Sequence, residues 1–151
     1  GRNGESMVEC YATGNVTGSY RIGGLVGSND GSIVDCNSHA SVEGRDAVGG
    51  LVGYNSRGNI TNCFSTSGVT GENSTGGLVG ENRGSMINCY CSCTLDAQDQ
   101  VGGLVGINDG VITASYCSAG INGRNEIGGL VGYNSDDGEI LNCYAYGDAT
   151  G

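Results

Sequence analysis

The string Gly-Gly-Leu-Val-Gly occurs five times in this 151-residue chain, with its leucines at Leu25, Leu51, Leu78, Leu104 and Leu130, so the steps are 26, 27, 26 and 26 residues. A fixed period of this length belongs to stacked architectures, in which a unit too small to bury its own apolar face buries it against the next. The question of function thereby becomes one about columns of residues that recur once per coil.

Aligned on the string, each copy is followed by a variable residue and an asparagine: Asn29, Asn55, Asn82, Asn108 and Asn134. A Gly/Asn/Asp turn comes next and absorbs nearly all variation in repeat length, as surface turns can. Then stands a large aliphatic column of Met7, Ile33, Ile60, Met86, Ile112 and Ile140, and three residues later Cys10, Cys36, Cys63, Cys89, Ser115 and Cys143. From the cysteine onward small or apolar residues alternate with polar ones, which is strand periodicity. No stretch carries apolar residues at helical spacing, and glycine interrupts every window of helical length.

The pattern predicts an all-β chain, a right-handed parallel β-solenoid of five to six coils of ~26 residues, its hand following the general preference of parallel crossovers. Each coil should carry two longer strands and one shorter, with glycines at corners where φ is positive or a side chain has no room. Coils ~4.8 Å apart would build a stub of roughly 25 Å. The asparagines should form an amide ladder that satisfies corner backbone groups, and Asn62, Asn88 and Asn142, with Glu9 and Asp35, a second partial one. Residues 1–151 read as a single domain, a fragment of a larger exported protein whose flanking domains it would contact. A seamless end-to-end fibre of this segment is not expected, because a strand would be missing at each joint.

Sixteen acidic residues against six arginines give a formal charge of −10. Such a surface repels phosphate backbones and anionic lipid, so nucleic acid is not an expected partner. No apolar run approaches the ~20 residues of a membrane-spanning helix, so no direct membrane insertion is expected.

The repeated Gly24-Leu25-Val26-Gly27 with its following Asn29, and lead-ins such as Ile60-Thr61-Asn62-Cys63-Phe64 and Ile140-Leu141-Asn142-Cys143-Tyr144, resemble the GLUG motif. That repeat is found in bacterial secreted and cell-surface proteins, among them IgA-specific metallopeptidases and proteins similar to filamentous haemagglutinin adhesins. The resemblance implies an extracellular, non-catalytic stalk or adhesin-like module. It carries no catalytic residues here, since the chain has no His-Glu-x-x-His.

The candidate recognition residues lie just after the cysteine column. Tyr11, Phe64, Tyr90, Tyr116 and Tyr144, broken once by Asn37, should form an outward aromatic stripe. Such a row could contact carbohydrate or a host extracellular protein, or simply cover a sheet. Cys91 and Cys117 share an inward column and are the best-placed pair for a disulfide, although parallel Cβ vectors disfavour one. Cys89, Cys91 and Cys93 lie on one flat strand, which offers zinc little tetrahedral convergence, so no metal is expected. The acidic turns at Asp109 and at Asp136-Asp137 lack the oxygen count of calcium loops. His39, the one histidine, falls outward without a nucleophile and orienter in register. No cofactor is implied, and an enzyme acting on polysaccharide is the least favoured reading, because paired carboxylates across a cleft are not apparent.

Overall fold

The computed structural model describes residues 1–151 and contains strands and no helix. Every strand pair is parallel, and each strand pairs with its counterpart one coil away: Val26 with Val52, Val52 with Val79, Val79 with Val105 and Val105 with Val131. The chain is thus a parallel β-solenoid of about six turns. The extra residue in Ser56-Arg57-Gly58 and the two extra in Ser135-Asp136-Asp137-Gly138 stay in the turn, because strand register resumes after them at Asn59↔Ser32 and Val111↔Glu139.

Each full coil contributes to four sheets rather than to the three strands expected. Sheet I stacks six strands from Arg2–Asn3 to Val131–Asn134, and sheet II six from Ser6–Val8 to Glu139–Leu141. Sheet III is split into two short strands per coil in the first three coils, such as Phe64–Ser65 and Gly68–Thr70, and becomes continuous in Tyr90–Asp96 and Tyr116–Asn122. Sheet IV stacks five strands, from Tyr20–Gly23 to Asn125–Gly128.

The corners explain the difference. Glu9, Asp35, Asn62, Asn88, Ala114 and Asn142 all sit at φ between 48° and 54°, so each coil turns between sheets II and III on one left-handed residue. Asn and Asp tolerate this region, which accounts for most of that column. A second left-handed column, Arg21, Ala47, Ser74, Gln100 and Glu126 at φ 49–54°, bends sheet IV and follows no residue preference. The motif glycines are not at positive φ at all; only Gly14 and Gly147 are. They are close-approach glycines. A Cβ on Gly53 would lie 2.5 Å from the carbonyl carbon of Arg21 and the nitrogen of Ile22, and one on Gly50 would meet Ser65 Oγ and the Gly77 carbonyl.

Between the sheets lies one apolar core. Leu51, Leu78 and Leu104 from the motif, and Ile33, Ile60, Met86 and Ile112 from the aliphatic column, are fully buried in it. Opposing sheets come close where the motif glycines face the small inward column of Ser38, Ser65, Cys91 and Cys117.

Candidate recognition surface

Buried polar groups come first, because they show which side chains the scaffold consumes. The asparagine column is a continuous amide ladder: Asn3, Asn29, Asn55, Asn82 and Asn108 each donate Nδ2–H to the Oδ1 of the next coil's asparagine at 2.8–2.9 Å. Asn3 is a sixth member that no preceding Gly-Gly-Leu-Val-Gly marks. The second amide N–H turns to a carbonyl of the same coil's turn, Gly58 at 3.0 Å in the case of Asn55. Asn29, Asn55, Asn82 and Asn108 have no exposed surface, so these bonds satisfy groups that water cannot reach. The second ladder is exposed and interrupted: Asn62 bonds Asp35 at 3.1 Å and Asn88 bonds Asn62 at 3.4 Å, and Ala114 ends the series.

The cysteine column does more than fill space. Cys36 Sγ accepts the backbone N–H of Cys10 at 3.3 Å, and Cys63 Sγ that of Cys36 at 3.4 Å. Each thiol also lies near the carbonyl two residues before it, Val34 and Thr61 respectively, at 3.2 Å. Ser115 fits this column because its hydroxyl makes the same pair of bonds, accepting from Cys89 N–H and donating to Thr113 O. Burial pushes the Cys63 thiol up to about 12 and that of Cys89 up to about 11, so both are protonated and poorly nucleophilic at neutral pH. Cys91 and Cys117 are register partners as expected, yet unbridged: all eight cysteines are free thiols. Their side chains leave neighbouring strands in parallel, which opposes the near-perpendicular disulfide dihedral.

What remains for recognition lies on the outer face of sheet III. Phe64, Tyr90, Tyr116 and Tyr144 stack in register with ring centroids 4.9, 5.2 and 5.1 Å apart and planes within 5° of parallel. Strand alternation aims these rings outward, and parallel pairing sets them one above the next. The His39 ring meets Phe64 edge-on at 5.7 Å, and Tyr146 lies 6.3 Å beyond Tyr144. Tyr11 stands apart, strongly exposed, with Asn37 between it and the stack. Because the rings face one another, the ladder offers a partner mainly edges and hydroxyls, not faces. Burial is the main effect that raises the Tyr116 phenol, and phenolate charge on Tyr90, Tyr144 and Tyr146 would add to it.

Four ion pairs lie on the surface elsewhere. Arg83 bridges Glu81 at 2.8 Å and Asp109 at 3.2 Å, which engages one of the acidic turns considered for calcium. Arg2 pairs with Asp30 at 2.7 Å and holds that carboxyl below its usual range. Arg21 lies over the Tyr54 ring at 4.3 Å, a contact that period-counting did not find because it joins sheets IV and I across two coils.

A chain built of parallel coils with one amide per coil is a repeat module of the β-solenoid class. The sequence model of the GLUG motif matches residues 18–43, 44–70 and 123–150, more than half of the chain, and the protein belongs to that family. Residues 71–122, between the matched segments, keep the same register through Asn73↔Asp99 and Tyr90↔Tyr116. No curated protein and no solved structure gave a significant match.

Proposed function

We propose that this solenoid is a non-catalytic, extracellular structural module of a bacterial surface or secreted protein, adhesin-like in that it carries and spaces flanking domains. The supporting observation is how completely its polar interior serves coil-to-coil bonding. The buried amides, and most thiols of the cysteine column, reach to the next or the preceding coil. A scaffold in which each unit contacts only its neighbours makes a stiff rod whose length is set by the number of coils. The resemblance to exported bacterial repeats supports the extracellular setting.

A second reading is favoured by the aromatic ladder: a module that binds carbohydrate or a host extracellular protein through sheet III. Binding of the domain to an array of glycans and host-matrix proteins, beside a Tyr90→Ala, Tyr116→Ala double variant, separates the two. The spacer reading expects no array signal that depends on these two rings. Signals that the variant loses would make the ladder a binding surface and displace the spacer reading.

A further inference from the structure

Next to the aromatic ladder, sheet III carries a trough of about 460 Å³ whose floor takes one short segment from each of four successive coils: Thr66–Gly68, Ser92–Thr94, Ser118–Gly120 and Gly147–Asp148. Parallel register aligns these segments along the solenoid axis, with Thr94 paired to both Gly68 and Gly120. The aromatic ladder runs one outward position away on the same face of sheet III. Along the axis, the row of Thr66, Ser92 and Ser118 has His39 at one end, bonded to Thr66 Oγ1 through Nδ1, and Tyr146 at the other.

Two glycines make the trough, and packing does not require either. A Cβ on Gly120 would meet nothing within 4 Å, and one on Gly68 only Thr94 Oγ1 at 3.8 Å; neither residue is at positive φ. A glycine within a strand weakens it and often marks a place where another molecule approaches the backbone. The motif glycines have crowded neighbours to account for them; these two have open space.

We propose that this trough binds a linear, uncharged polysaccharide lying parallel to the solenoid axis, one sugar ring to each coil. The floor offers a hydroxyl row in each of three coils, matched to a polymer that presents hydroxyls at regular steps. The coil rise of ~4.8 Å is close to the length of one sugar in an extended chain. Asp148 on the floor and Asp96 beside it repel uronates and sulfated chains while accepting bonds from sugar hydroxyls. The inference goes beyond the spacer reading and moves the contact from the ladder's rings to the trough beside them.

Calorimetric titration of the whole domain with β-1,4-linked glucose, mannose and N-acetylglucosamine oligomers, dimer to hexamer, and with a galacturonate tetramer tests it. At least one uncharged series should bind, tightening up to the trimer and then levelling, because His39 and Tyr146 bound a row of three coils. Gly120→Val should weaken that binding about tenfold or more while leaving the melting temperature unchanged or raised, since the new side chain meets only solvent. A Ser92→Ala, Thr94→Ala variant should weaken it in the same direction and guards against an unforeseen folding defect in the valine variant. Failure of every uncharged series to bind would overturn the trough proposal and leave the spacer reading intact. Binding that survives Gly120→Val, or galacturonate that binds as well as its uncharged counterparts, would overturn it too.

Discussion

Gly53→Ala should unfold this protein or lower its stability by about 4 kcal/mol or more, the extreme end of single substitutions. The added methyl carbon would lie 2.5 Å from two backbone atoms, Arg21 C and Ile22 N, and 2.8 Å from the Gly27 oxygen. A crowded side chain could rotate away, but these atoms belong to sheets IV and I of the preceding coils and are held by their own ladders. Urea denaturation followed by circular dichroism checks this, and a Gly53→Ala protein of native stability would refute the packing role assigned to the motif's last glycine. The same change at Gly120 costs nothing on this reasoning, so glycines of one chain separate by what a Cβ would meet.

Asn82→Leu is the second large effect. It leaves one buried N–H of Asn55 without its acceptor and strips the buried Oδ1 of Asn108 of its amide donor, leaving it only the 3.4 Å bond from Gly110 N–H, whereas the Gly84 carbonyl keeps the Val111 N–H. Orphaned buried polar groups cost about 1–3 kcal/mol each, and partial relaxation should bring the total to about 3–4 kcal/mol. Asn88→Ala in the exposed ladder should cost only about 1 kcal/mol, chiefly for a non-Asn residue in the left-handed region. Melting midpoints of the two variants compare them directly; equal losses would mean that burial of the first ladder contributes nothing.

Much of this was legible in the sequence, for a definite reason. Parallel in-register stacking turns spacing into contact, so Leu51, Leu78 and Leu104, the asparagines after them and the rings from Phe64 to Tyr144 could be placed by counting. Corners do not obey that rule. Arg21, Ala47, Ser74, Gln100 and Glu126 share a left-handed conformation with no common chemistry, so the fourth sheet left no mark on the residues. Glycine left two readings open, positive φ or no room for a side chain, and at the motif the second holds, because a backbone presses there from another sheet. Cysteine hid a hydrogen-bonding role, and the substitution of Ser115 in its column was the available clue. The trough escaped notice because it is defined by side chains absent at Gly68 and Gly120, a signal that appears only once the neighbouring space is known.

The central claim is that each coil is an interchangeable unit held by its neighbours. Excising residues 97–122 tests it most directly, because Asp96 and Asn122 are register partners and the cut removes one whole coil. Small-angle scattering and thermal melting of the shortened protein should show a folded, cooperative all-β chain shorter by one rise of about 4.8 Å. Excising 97–119, which stops three residues short of a full coil, should abolish folding. If the whole-coil excision failed to fold, or both excisions folded equally well, the stacked-repeat account would be contradicted.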